Sequence, residues 1–127
     1  MPKTVSIVGM GNSRDDYLAA RIVYGDRTDV VWDQVWAINA MGGAIVCDRV
    51  IHMDPLSLMQ GDPRWDRLYA LWKKQGTPVY TSYPHPDMPN SVAYPIREVV
   101  DELKFPYFNN TVAYAVALAV YEKFDTI

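Results

Sequence analysis

The sequence contains a single cysteine among its 127 residues, which excludes an intramolecular disulfide and a metal site built from several thiolates. Cys47 follows the apolar pair Ile45 and Val46, so we expect it to be a small buried hydrophobe rather than a nucleophile. No apolar run approaches the ~20 residues of a membrane-spanning helix, and residues 1–9 lack the pattern of a signal peptide. We therefore expect a protein of the reducing cytoplasm with no membrane partner.

Positive charge is also scarce: Lys and Arg number 12 against 15 for Asp and Glu, which gives a net charge of -3. A pI near 5.2 provides no general attraction to nucleic acid. Hydrophobic residues make up 50% of the chain and charged residues 21%, which is the balance of a globular protein. We expect one domain, residues 1–127, that binds no nucleic acid but can hold a nucleotide at a local site.

The succession of apolar runs and turn residues predicts strands that alternate with helices, which is the pattern of an α/β fold with a mostly parallel sheet of four to five strands. The predicted strands are residues 5–8, 35–39, 49–53 and 78–81. The predicted helices are residues 15–24, 63–75, 96–104 and 111–124, and residues 82–95 are predicted to form a long proline-rich loop. Ligands of parallel sheets bind beyond the carboxyl ends of the strands.

The second predicted helix has clear end signals. Asp62 followed by Pro63 marks its start, and Gly76 marks its end. Between them a core-facing stripe at helical spacing is formed by Trp65, Leu68, Tyr69 and Trp72. In the first predicted helix, Leu18 and Ile22 share one face.

Residues 3–16 form the stretch around which we expect function to be organised. An apolar run predicts a buried strand, after which Gly9 and Gly11 allow a sharp turn and the close approach of a ligand. Asn12 or Ser13 is the predicted N-cap of the helix that follows. Together, strand end, glycine turn and helix N-terminus predict an anion site, because free backbone N–H groups point outward there.

Because of Arg14, this loop does not match the dinucleotide-binding fingerprint. A G-x-G-x-x-G motif that starts at Gly9 would need glycine where Arg14 stands. The arginine prevents tight helix packing but can contact a phosphate with two N–H groups. NAD is therefore disfavoured and a phosphate group is favoured. The alternative is a tight strand-to-helix turn with no ligand.

Other polar residues follow the predicted strands. Asn39 ends the second strand, and Asp54 after the third is a candidate acid/base or Mg²⁺ ligand. His52 shares a strand face with Asp54, and we favour a hydrogen-bonded sheet histidine there. His85 and Asp87 resemble a proton-transfer pair, but we favour a solvated loop histidine. No metal-binding set is predicted, and the sequence defines no particular cofactor.

The last predicted helix, residues 111–124, is apolar almost all round and carries alternating alanines. We expect it to be buried on more than one side, between the sheet and a neighbouring subunit, where the alanines permit close approach. This predicts a homo-oligomer. Asn109 or Asn110 is the predicted cap, and with Thr111 the helix start is predicted to face the same cleft as residues 9–14.

Four motifs occur in order along the chain: GMGNSR at 9–14, INAM at 38–41, HMDP at 52–55 and NNTVAYAVALAVYEKFDTI at 109–127. Together they resemble the Rossmann-like group that contains the MptE-type 6-hydroxymethylpterin diphosphokinases and a family of bacterial sialyltransferases. The chain is similar in particular to the small phage-encoded members of that group. Asn12 stands where the group's G-x-G-P-S loop has proline, and Ser13 keeps its serine.

The resemblance implies a three-layer Rossmann-like fold and a nucleotide-type ligand, such as a cytidine phosphate. The implied binding residues are Gly9, Gly11, Asn12, Ser13, Asn39 and Thr111. The residue patterns add Arg14 and Asn110 to this set. In the group, the last helix leads into a strand that ends in G-x-D and is followed by further catalytic residues. Residues 125–127 only begin such a strand, so ligand binding is better supported than transfer.

The sequence is compatible with three functions. The first is binding of a nucleotide or a nucleotide-derived signal, as in a phage protein that sequesters a host nucleotide. The second is a glycosyl- or phosphotransferase that uses a nucleotide donor, with Asp54 as its catalytic residue. The third is an interaction module that oligomerises through the last helix. We favour the first.

Overall fold

The computed structural model describes residues 3–12, 14–25, 31–106 and 108–127. In these residues, the sheet strands are β1 (Val5–Val8), β2 (Gln34–Ile38), β3 (Arg49–Ile51), β4 (Val79–Thr81) and β5 (Ser91–Ala93). The α-helices are α1 (Arg14–Tyr24), α2 (Pro63–Gln75), α3 (Ile96–Leu103) and α4 (Thr111–Tyr121). Two short 3-10 helices, Asn39–Gly43 and Leu56–Met59, follow β2 and β3.

The strands lie side by side in the order of the sequence, and every neighbouring pair is parallel. Thr126 forms a parallel bridge with Thr4, and Val5 N donates to the Thr126 carbonyl over 3.0 Å. The last residues therefore lie on the side of β1 that β2 does not occupy. From β1 the chain adds β2 to β5 one after another on one side, and it then returns to place Thr126 on the other side of β1. The direction in which strands are added to the sheet therefore reverses at β1.

The two faces of the sheet carry different helices, because successive side chains of a strand point to opposite sides. On one face, Val8 and Ala37 pack with Tyr17 of α1, and Val50 packs with Trp72 of α2. On the other face, a larger cluster joins the sheet to α3 and α4. A parallel sheet between two helical layers confirms the predicted three-layer α/β, Rossmann-like fold.

The end signals of α2 act as predicted. The Asp62 carboxylate accepts a hydrogen bond from Arg64 N over 2.9 Å, and Pro63 is the first helical residue. Gly76 closes the helix with a left-handed φ of 73°. The predicted stripe faces the core: Trp72 is fully buried, and Trp65, Leu68 and Tyr69 pack around it.

The prediction that residues 82–95 form a continuous loop was wrong, because β5 lies within them. Val79 N donates to Asn90 O, and Tyr94 N donates to Thr81 O, each over 2.9 Å, so the segment pairs with β4. The Asn90 side-chain amide also donates to the carbonyls of Trp72 and Thr77. These bonds fix the start of a strand that has only three residues.

In α1, the face that carries Leu18 and Ile22 is not the buried one. Tyr17 is the buried residue of α1, and its ring stacks on Trp32 with centroids 5.5 Å apart. Leu18 is 41% exposed and Ile22 is 86% exposed. The face of α1 that packs on the sheet is therefore the one that carries Tyr17, whose ring stacks on Trp32.

The C-terminal helix ends at Tyr121, three residues before its predicted end at Phe124. Its alanines at positions 115, 117 and 119 are buried against the rest of the chain rather than exposed for a neighbour. Beyond α4, Glu122 forms a two-point ion pair with Arg49, with Nη2 and Oε1 2.8 Å apart. Arg49 is the first residue of β3, so α4 ends near the edge of the sheet at which the parallel strands begin, the amino edge. The helix begins near the opposite edge, at which the strands end, the carboxyl edge.

Cys47 is half-buried between the clusters under α1 and α2. Burial raises the pKa of its thiol to about 11, so the thiol is protonated at neutral pH. The predicted small apolar residue therefore packs against both clusters but is half-buried rather than buried.

Candidate functional site

A small cavity lies between β1 and α1. Its volume is about 130 Å³, and its lining residues are Ser6, Ile7, Val8, Gly9, Arg14, Asp16, Tyr17 and Trp32. One water occupies about 30 Å³ of liquid, so this β1 cavity has room for roughly four waters. That volume suits one phosphate group and is too small for a whole nucleotide.

Gly9 and Gly11 are not required by the fold itself. Neither has a positive φ, and a Cβ added to either would meet no atom within 4 Å. The glycines of the described residues that do have a positive φ are Gly25, Gly61 and Gly76. The open space beside Gly9 and Gly11 allows a ligand to approach the backbone closely.

The loop that leaves β1 also has unused backbone donors. No acceptor in the described part of the chain receives the N–H groups of Gly9, Met10 and Gly11. The Asn12 carbonyl accepts from Asp15 N over 3.1 Å and so forms part of the first turn of α1. The predicted binding residue Ser13 lies outside the described residues. Free N–H groups beside a helix N-terminus are the donors that bind phosphate in proteins.

Arg14 brings a positive charge to the β1 cavity. Its Nη1 donates to the Met10 carbonyl over 2.9 Å, which holds the guanidinium against the loop. Asp16 lines the same cavity and brings a negative charge. The two side chains balance each other in net charge, so attraction of an anion depends on the backbone N–H groups and the dipole of α1 as well as on Arg14.

Asn39 lies at the carboxyl end of β2, where its side-chain oxygen contacts a buried histidine. His52 Nδ1 lies 2.8 Å from Asn39 Oδ1, and His52 Nε2 lies 3.1 Å from the Tyr69 hydroxyl. Burial lowers the pKa of His52, although the nearby Asp54 carboxylate opposes this shift. In a neutral ring, Nδ1–H donates to Asn39 and Nε2 accepts from Tyr69. The predicted hydrogen-bonded sheet histidine is confirmed.

Asp54 is exposed beyond the carboxyl end of β3, as the sequence predicts. Its backbone carbonyl accepts a bond from the Thr81 hydroxyl over 3.3 Å, which ties it to β4. The pKa of Tyr69 is raised to about 12, first by burial and then by the carboxylates of Asp54 and Asp66. Within the described ranges, no group of three or more His, Cys, Asp or Glu side chains is placed to hold a metal ion.

The start of α4 is another helix N-terminus at the carboxyl edge, on the sheet face opposite α1. Asn110 caps it, because its Oδ1 accepts from Ala113 N over 2.9 Å. That bond occupies the oxygen of Asn110, whereas Thr111 is half-buried at the first helical position. Neither residue lines the β1 cavity.

The predicted site residues therefore share one edge of the sheet but not one cavity. Gly9 and Arg14 line the β1 cavity. Asn39, Asp54 and Thr111 lie along the same edge, at the end of β2, beyond β3 and at the start of α4. An extended ligand is needed to contact both sets.

A larger cavity, unexpected from the sequence, lies between α2, the 3-10 helix Leu56–Met59 and the loop after β4. Its volume is about 230 Å³. His85 lies in this loop, as predicted, and forms part of the cavity wall with 23% of its side chain exposed, so it is only partly solvated. The sequence signal that could have revealed this cavity is the i, i+3, i+4, i+7 spacing of Asp66, Tyr69, Ala70 and Lys73 on α2.

No protein-family model, curated protein or solved structure matches the chain. The resemblance to the MptE-type group therefore stays a prediction. In the part of the chain that the structure describes, no helix combines the length and the apolar character needed to cross a membrane.

Proposed function

We propose that the protein binds a phosphate-bearing small molecule of the nucleotide class at the carboxyl end of β1. The observation that carries this proposal is the coincidence of two features at that strand. The strand order reverses there, and the loop that follows offers backbone N–H groups with no described acceptor. Open parallel sheets bind their ligands at such reversal points, and the dipole of α1 favours an anion.

Because the β1 cavity is small, only part of a nucleotide can lie inside it. One phosphate fits beside Gly9 and Arg14, while the base and sugar extend along the carboxyl edge. There the Asn39 side chain keeps its NH₂ group as a donor, because only its oxygen contacts His52. The Thr111 hydroxyl is a second polar group near that edge.

Binding without turnover is better supported than transfer. Both ring nitrogens of His52 are engaged inside the protein, so it is not placed to exchange protons with a substrate. Asp54 is exposed, and it is the proposed catalytic residue if the protein is instead a transferase. In that case Asp54→Asn must abolish turnover of a nucleotide donor. A protein that binds without turnover suits the sequestering role that the resemblance to phage-encoded proteins suggests.

Titration calorimetry against mono-, di- and cyclic nucleotides, with the matching nucleosides as controls, tests this proposal. We expect heat only with phosphorylated ligands, and Arg14→Gln should weaken binding by roughly 10-fold or more, because a charge-assisted hydrogen bond contributes about 1.5–3 kcal/mol. Asp16→Asn should strengthen binding, since it removes a negative charge from the cavity. Arg97→Gln, an exposed change on α3, is the matched control and should have no effect.

Two outcomes would overturn the proposal. One is the absence of binding to any nucleotide in the panel. The other is an equal loss of affinity in the Arg14→Gln and Arg97→Gln variants, because a general loss of positive charge would then explain the result.

A further inference from the structure

The cavity along α2, which we call the α2 pocket, is built from parts that hold each other in place. On its helix side, the Tyr69 hydroxyl contacts buried His52 over 3.1 Å. On its loop side, His85 N donates to the Ser91 hydroxyl over 2.9 Å, and Met88 N donates to the His85 carbonyl over 3.0 Å. Contacts within the chain therefore hold both walls, as expected of a preformed small-molecule site.

The base of the α2 pocket is apolar. Leu56 and Met88 are buried there, 3% and 4% exposed, and Tyr69 and Ala70 of α2 also line it. The volume of about 230 Å³ corresponds to roughly seven or eight waters at about 30 Å³ each. A ligand of this pocket is therefore small and has an apolar body.

The rim of the α2 pocket carries both signs of charge, and they are separated along the helix. Asp66 lies in the first turn of α2 and Lys73 in its last turn. The two residues are seven positions apart on one helix face, which corresponds to a rise of about 10 Å. Asp87 adds a second carboxylate on the loop side. A ligand with a single sign of charge can pair with only part of this rim.

We propose that the α2 pocket binds a small dipolar molecule in which an ammonium and a carboxylate are joined by a short apolar chain. The ammonium pairs with Asp66, and the carboxylate pairs with Lys73. The chain between them packs on the Tyr69 ring, with Leu56 and Met88 beneath it. This site is separate from the β1 cavity and shares no lining residue with it.

The test is an NMR or calorimetric titration of the full chain with 6-aminohexanoate, hexylamine and hexanoate. We expect 6-aminohexanoate to bind about tenfold more tightly than either single-charge analogue, because each lost ion pair in a half-enclosed site costs on the order of 1.4 kcal/mol. Lys73→Gln should reduce its affinity to that of hexylamine and leave hexylamine binding unchanged. Lys74→Gln, the adjacent exposed lysine that does not line the pocket, is the matched control and should have no effect.

Ala70→Leu provides a second variant that changes no charge. Ala70 is exposed on α2, so the larger side chain is compatible with folding, and it should fill the pocket and abolish binding of all three probes. The proposal is overturned if none of the three binds, if the dipolar probe shows no advantage, or if Lys73→Gln and Lys74→Gln have the same effect. Gly9→Val should leave this binding unchanged, which separates failure here from failure of the nucleotide proposal.

Discussion

The hydrogen bonds of His52 connect three elements of the fold through one side chain. The ring follows β3 and contacts Asn39 after β2 and Tyr69 on α2. The rings of Trp65 and Trp72 lie 5.1 and 5.6 Å from it, centroid to centroid, and His52 is fully buried. A charge on this ring would have no water around it, so protonation of His52 must oppose folding.

The free energy of unfolding should therefore fall as the pH drops. Burial holds the pKa of folded His52 below the ordinary value of 6.5, so the unfolded chain binds more protons below that pH and stability declines with acidification. Urea unfolding at about pH 7.5 and about pH 5.5 measures the difference. His52→Gln should reduce this pH dependence, whereas His85→Gln, which removes the other histidine, should retain it. Equal pH dependence in the wild type and both variants would contradict this interpretation.

Gly42 is required by a close approach rather than by backbone conformation. A Cβ there would lie 2.7 Å from Val50 Cγ2 and 2.8 Å from Trp72 Nε1, and both neighbours are fully buried. We expect Gly42→Ala to lower the free energy of unfolding by about 1–3 kcal/mol, the usual cost of overpacking. Gly9→Ala is the matched control, because its Cβ would meet no atom. Chemical denaturation measures both, and an equal effect of the two variants would rule out the steric explanation.

At the level of the helices, α4 has an apolar outer face. Val112, Val116 and Val120 are spaced four residues apart and are 39–47% exposed, so they form one stripe. The predicted homo-oligomer would use this stripe, and Val116→Lys should convert an oligomer to a monomer in sedimentation or light-scattering measurements. Leu58→Lys, at another exposed apolar residue, is the control. A wild-type monomer at high protein concentration would contradict the prediction.

The parts of the fold that could be predicted from the sequence are those with local causes. The start and end of α2 depend on Asp62, Pro63 and Gly76, which act within one helical turn. By contrast, β5 is a strand only because β4 supplies its hydrogen bonds. Sequence patterns do not reveal such a pairing when the strand has three residues and lies among prolines.

The two candidate sites also differ in how far the sequence predicts them. The loop after β1 could be predicted because strand, glycines and helix start are contiguous in the sequence. For the α2 pocket only the wall on α2 has a local signal, the i, i+3, i+4, i+7 spacing of its lining residues. The other two walls, the 3-10 helix Leu56–Met59 and the loop after β4, are brought to it only by the fold. The contact between His52 and Tyr69 spans 17 positions and two elements, and only the fold brings those residues together.

For the molecule as a whole, the proposed nucleotide site rests on the reversal of strand order at β1. Sequence motifs favour the loop after β1, but they do not show where β1 lies in the sheet. The bridge between Thr4 and Thr126 singles out one strand, because it puts the end of the chain on the other side of β1 from β2. The helix starts of α1 and α4 then lie on opposite faces of the sheet, both at that edge.

The most direct test of the nucleotide site follows the backbone amide signals of the loop after β1 by ¹⁵N–¹H NMR during a nucleotide titration. Binding at this site predicts that the largest shifts occur at Gly9, Met10 and Gly11, with a phosphorylated ligand and not with its nucleoside. Shifts centred on the residues of the α2 pocket, or no shifts in the loop at saturating nucleotide, would contradict the assignment.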